Sequence, residues 1–219
     1  MASIEARICD IPLEELQGVE DFAFDMLHMD REMVMEQFDD IYEDTDERCR
    51  ETLRCKGMYR SFAIEHNDGA AVHVEGGATL ASAFLADKLS IADEVVLYAG
   101  VVHGYEELAK AAKDSMFDGM FYDAWGVGYT MGVHRWLKGA VDAAVASAGR
   151  HVGRGWVPGE GDLELGLLRD VFAVLDPSPI GLELSDSGLM HPVMAVCGIA
   201  GVSDDSAIAD IGIEVTTYH

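Results

Sequence analysis

Cations are scarce in this 219-residue chain: fifteen lysines and arginines face forty aspartates and glutamates, for a net charge of −25. A field of that sign repels phosphate backbones and anionic lipid, so neither nucleic acid nor a membrane surface is expected as a partner. Cysteine is sparse too. Cys9, Cys49, Cys55 and Cys197 include no Cys-x-x-Cys pair, and zinc or iron–sulfur ligation favours such close pairs. They read as buried free thiols. None of the eight histidines follows another at His-x-x-x-His spacing, and no metal site is expected. There is no Gly-x-Ser-x-Gly and no Walker loop, which argues against the commonest hydrolase and nucleotide-binding designs. Catalytic residues stay unassigned. No apolar run reaches the ~18 residues of a membrane span. The first residues lead into acids rather than a basic and then apolar leader, so a cytoplasmic protein is expected.

What is present is ordinary for a globular protein, 49% apolar and 25% charged, with no repeat, low-complexity segment or linker. The length fits one large domain or two small ones. Residues 1–57 read as an acidic helical extension and 58–219 as the main domain, the two together forming one compact unit. Pro12 and the Leu-Glu-Glu-Leu after it predict a short helix. Arg31 to Cys55 predicts a longer one, with Val34, Phe38, Ile41, Thr45, Cys49 and Leu53 on one stripe and Gly57 as its stop. Tyr59–Glu65 and Ala71–Glu75 predict a hairpin around Asp68-Gly69. Thr79–Leu89 and Tyr105–Lys113 predict short helices, and Glu94–Val102 a central buried strand. Ser115–Ala148 predicts the longest helix, whose Gly128 and Gly132 share a face suited to tight packing on the sheet. Arg150–Asp162 is the least regular stretch, Leu163–Leu175 an amphipathic helix, and Ile208–Val215 a last strand.

The segment Ile180–Gly201 holds two apolar runs around a polar turn, Ser185-Asp186-Ser187-Gly188, followed by Leu189-Met190-His191-Pro192. The runs read as strands, and the turn between them can offer backbone groups to a ligand. Ser-Asp-Ser-Gly-Leu-Met-x-Pro, then Cys197-Gly198-Ile199, resembles the Thr-Glu-Ser-x-x-Met-x-Pro…Ser-Gly segment of the activation domain of vitamin B12-dependent methionine synthase. Pro158-Gly159, an apolar helix and Leu175-Asp176-Pro177 are similar to the same family's Pro-Gly-Tyr turn and helix. Phe121-Tyr122-Asp123-Ala124-Trp125-Gly126 resembles its Leu-Asp-Ala-x-Gly helix start, and Val95 to Gly100 lies where it has an apolar strand. The likeness runs from about Met58 to Val202.

The resemblance implies an α+β fold: a bent, mainly antiparallel sheet packed with helices, methionine synthase activation domain-like. It implies a stand-alone corrinoid-handling protein that binds or helps reactivate the cobalamin of a corrinoid-dependent methyltransferase system. Its partners would be a corrinoid protein or methyltransferase and a redox donor. In the family an Arg-x-x-x-Gly-Tyr motif holds S-adenosylmethionine, the guanidinium pairing with the ligand carboxylate. Aligned on Pro158-Gly159, this chain has Gly155 in place of the arginine and Glu160 in place of the tyrosine, with Arg154 one residue early. The cofactor expectation is therefore cobalamin, with the S-adenosylmethionine motif degraded. The implied site residues are Arg154, Pro158, Gly159, Glu160, Ser187, Gly188, Met190 and His191, meeting at one cleft. Two alternatives stand beside this: a non-catalytic docking module for a corrinoid protein, and an enzyme acting on an unrelated small ligand in the same cleft.

Overall fold

The computed structural model describes residues 4–211. At its centre is the strand β5, Glu94–His103, of which every residue but the last is buried. A strand covered on both faces needs no polar alternation, which is why its sequence is nearly all apolar. Val96, Tyr98 and Val102 enter one core, while Val95, Leu97, Ala99 and Val101 enter the other. The faces thus follow the period of two that a pleated strand imposes.

Around β5 the sheet is antiparallel throughout. The other strands are β1 (Arg7–Ile11), β2 (Arg54–Asn67), β3 (Val72–Val74), β4 (Ala78–Leu80), β6 (His151–Trp156) and β9 (Ala195–Ser203). Their order is β4-β3-β2-β5-β9-β6, with β1 also paired to β2. A separate two-stranded ribbon joins β7 (Glu183–Leu184) to β8 (Met190–His191). The α+β architecture with a mainly antiparallel sheet is as expected.

One face carries α1 (Val19–Leu27), α2 (Arg31–Gln37), α3 (Asp39–Thr52), α5 (Tyr105–Ala111) and α6 (Met116–Ser147). On the other face lie α4 (Ala83–Lys88) and α7 (Leu168–Leu175). α6 starts at Ser115, whose side chain accepts from Asp118 N, and it buries Val133, Leu137, Val141 and Val145 at four-residue spacing. Here the sheet, not the helix, supplies the room. A Cβ on Gly100 would lie 2.4 Å from Val133 and one on Gly57 2.6 Å from Leu137. The glycines of α6 make a different contact. A Cβ on Gly128 would lie 2.3 Å from the Val19 carbonyl, and one on Gly132 would meet Leu16 and Val19. That face therefore packs on the start of α1 instead of the sheet.

Several expected elements are redrawn. Arg31–Cys55 is not one helix: it breaks at Phe38 (φ −140°, ψ 23°), which turns its ring onto Phe117 and Phe121. Its end is also a strand, since β2 begins at Arg54 and holds Gly57 within it. Residues 78–80 pair as β4 before α4, whose start is capped by Ser82. The glycine-rich 151–156 stretch is the edge strand β6, with a register shift between Val152 and Gly155. The 163–175 helix opens with the 3-10 turn Leu165–Leu167. In the expected last strand, Ser206–Asp210 is a 3-10 turn and 212–215 lie outside the described residues.

Candidate functional site

The first loop follows β6. Pro158 is buried, Gly159 has φ +94°, and its N–H donates to the Leu163 carbonyl at 2.7 Å. Glu160 N–H donates to the Val157 carbonyl at 3.0 Å, leaving the carboxylate exposed. Arg154 points its guanidinium over the Trp156 ring, 5.0 Å from the centroid. The second loop closes on itself. Gly188 N–H donates to Ser185 O at 2.9 Å, Leu189 N–H to Ser185 Oγ at 3.0 Å, and the Ser185 and Ser187 hydroxyls lie 2.9 Å apart. These polar groups are engaged within the turn rather than offered outward. Met190 Sδ lies 3.8 Å from Cys197 Sγ on β9. His191 pairs with Glu183 across the β7–β8 ribbon, is exposed, and precedes a cis peptide to Pro192.

Both loops touch one short stretch of chain. A Cβ on Gly159 would be 3.1 Å from Leu165, and one on Gly188 3.5 Å from Arg169. Arg169 also donates to the Asp186 carbonyl at 2.6 Å. Leu189, His191 and Val193 alternate along the second loop, and the two apolar members are 63% and 57% exposed.

Sequence reasoning missed the buried polar group beside the first loop. Tyr98 of β5 reaches across β9 and β6, whose glycines leave it room: a Cβ on Gly198 would lie 2.0 Å from the ring and one on Gly155 2.6 Å from the hydroxyl. The phenol shares a 2.9 Å hydrogen bond with His134 Nε2 on α6, and the two rings stack. One turn on, Lys138 lays its aliphatic stem 3.5 Å from the same Gly155 position and pairs with Asp142. Burial pushes the Tyr98 phenol well up, helped by the carboxylates of Asp142 and Glu160. His134 is pushed down, by burial first and by the Lys138 cation second. The pair is thus a neutral phenol on a neutral imidazole. In the sequence its traces are Gly155 and Gly198, each standing where a Cβ would strike Tyr98.

Elsewhere, burial raises the Cys49, Cys55 and Cys197 thiols to about 12, so they remain protonated and unreactive. His66 and His73 stack at 5.8 Å, and among the described residues no three metal-ligating side chains come together. A groove of about 600 Å³ runs along Asp10–Glu14 and Arg50–Lys56, apart from both loops. No helix among the described residues is long and apolar enough to cross a membrane.

The fold and the two loops define an α+β module built on a mainly antiparallel sheet packed against helices. It is similar to a solved structure described as the MetH reactivation domain bound to AdoHcy, with a TM-score of 0.67 and 12% identity. The match covers 93% of this chain and 80% of that one. No protein-family model matches the chain, and no curated protein does.

Proposed function

We propose that this protein is a stand-alone corrinoid-handling module that binds, or helps return to activity, the cobalamin of a corrinoid-dependent methyltransferase system. The observation that carries this reading is the likeness of nearly the whole chain to the MetH reactivation domain. In such a system the cofactor supplies the reactive metal centre, and the protein supplies position and shielding. The exposed strip Leu189–His191–Val193 fits a flat macrocycle edged with amides, with apolar contacts on either side of an imidazole able to hydrogen-bond or ligate. Arg154, Pro158, Gly159 and Glu160 would line one side, and Ser187, Gly188 and Met190 would support the strip from behind. We also infer that residues 4–57 belong to the same unit as the rest, because β1 pairs with β2 and Phe24 and Leu27 lie in the shared core.

The methyl donor fits less well. The AdoHcy of the structural neighbour suggests an S-adenosylmethionine cradle, but here the Tyr98 hydroxyl takes the space an arginine at position 155 would need. The cation beside that position is Lys138, already held by Asp142. A carboxylate would have to compete for a point charge instead of meeting a free fork.

The test is to titrate aquacobalamin into the protein and follow its absorbance spectrum. We expect a micromolar dissociation constant and at least tenfold weaker binding for His191→Ala. No spectral change up to about 1 mM corrinoid, an affinity near −4 kcal/mol, would contradict the reading.

A further inference from the structure

We propose that the exposed methionine and phenylalanine surface formed by the first turns of α6, beside the end of α2, docks a basic amphipathic helix of a partner protein. Met116, Phe117 and Met120 of α6 are between 40% and 75% exposed. Phe38 joins the two elements. It closes α2 and sets its ring 5.8 Å from Phe117 and 5.9 Å from Phe121. Single exposed apolar residues are ordinary, but Met116, Phe117 and Met120 fall at three- and four-residue spacing on α6 with Phe38 against Phe117, and together they form a patch. Two of them are methionine, unbranched and polarisable, which lets a surface mould itself to more than one apolar ridge.

The rim says which occupant fits. Residues 30–48 carry nine acids against two cations, Arg31 and Arg48, which are paired with Glu20 and Asp44. Asp118 adds a further carboxylate on α6. A second copy of this chain would bring the same acids face to face, and an anionic lipid surface would be repelled likewise. A helix with an apolar stripe and flanking lysines or arginines satisfies both parts of the surface, the helix-in-groove mode of recognition. The argument is independent of the corrinoid reading and uses none of its residues.

The probe is a dye-labelled 18-residue peptide of leucine and lysine at helical spacing, with a glutamate-for-lysine counterpart. Fluorescence anisotropy should give a micromolar dissociation constant for the basic peptide and none for the acidic one. Because a protein this acidic attracts cations everywhere, the deciding comparison is the Met116→Gln, Phe117→Ser, Met120→Gln triple variant. It should bind at least tenfold more weakly, and Met116→Gln with Met120→Gln alone, which keeps the Phe38–Phe117 contact, should also weaken binding while its thermal melt stays unchanged. Methyl NMR on labelled methionines should show shifts at Met116 and Met120, with Met190 and Met194 unmoved. Equal binding by the native and triple-variant proteins would overturn the proposal. So would binding of the acidic peptide, no binding of the basic one, shifts confined to other methionines, or self-association that the triple variant abolishes.

Discussion

At the scale of single residues, Tyr98 organises the most distinctive part of the molecule, and its two glycine neighbours make separable predictions. A methyl at Gly155 would strike the hydroxyl, whereas one at Gly198 would strike ring carbons. Gly155→Ala and Gly198→Ala should each destabilise by about 2–3 kcal/mol through overpacking. Tyr98→Phe should recover much of the first cost and little of the second. A double-mutant cycle by urea unfolding reads the difference directly. His134 gives a pH prediction. Its folded pKa lies below the ordinary 6.5, so the unfolded chain takes up a proton at a pH where the folded one does not. Stability therefore rises with pH through the window just below 6.5, and it falls as pH drops toward the depressed folded value. Between pH 7.5 and 5.5 the native protein should lose more stability than His134→Asn, which keeps an acceptor for the phenol without the titration. Equal losses would mean that His134 is not held neutral.

At the scale of elements, Arg150 pins the start of β6 to its neighbours. Its side chain is 8% exposed and meets Asp93, Glu94 just inside β5, and Asp204 just past β9, the last at 2.8 Å. Arg150→Ala leaves Glu94 buried beside two other carboxylates and should cost about 3 kcal/mol. Arg150→Lys, a point charge replacing a fork, should fall between. In α6 the glycines divide sharply. Gly128→Ala would press on the Val19 carbonyl, while Gly139 has open space around its Cβ direction. Hydrogen exchange should show α1 loosened in Gly128→Ala, whereas Gly139→Ala should gain roughly 0.5–1 kcal/mol of helix propensity.

These elements also show what the sequence made legible. β5 and α6 were readable because long apolar runs and four-residue spacing are local signals, and the Asp68-Gly69 turn was readable because its chemistry is local. The break at Phe38 was not, because it depends on Phe117 and Phe121, some eighty residues away. β6 was hidden for the same reason: its glycines look like loop until β9 and Tyr98 are beside them. The candidate site shared this pattern. The Ser187 segment stands out in the sequence by its motif resemblance. That Gly155 marks an occupied space, and that Lys138 stands next to it, depends on three strands and a helix meeting.

At the scale of the whole molecule, charge is the dominant feature. A net −25 on 219 residues loads the folded state with self-repulsion that dissolved salt relieves, since the screening length shrinks from about 30 Å at 0.01 M to about 8 Å at 0.15 M. The melting temperature should therefore climb as sodium chloride is raised over that range. A flat profile would show that the local ion pairs already neutralise the field.

The chain shares the fold of the MetH reactivation domain it resembles, and we propose that Tyr98, His134 and Lys138, packed at position 155, leave no room for a methyl-donor cradle there. Isothermal titration calorimetry with S-adenosylmethionine reads this out. No binding tighter than roughly 1 mM, about −4 kcal/mol, is expected for the native protein. A micromolar dissociation constant, lost on Lys138→Ala or Arg154→Ala, would contradict it and show that a cation has taken over the missing arginine's role.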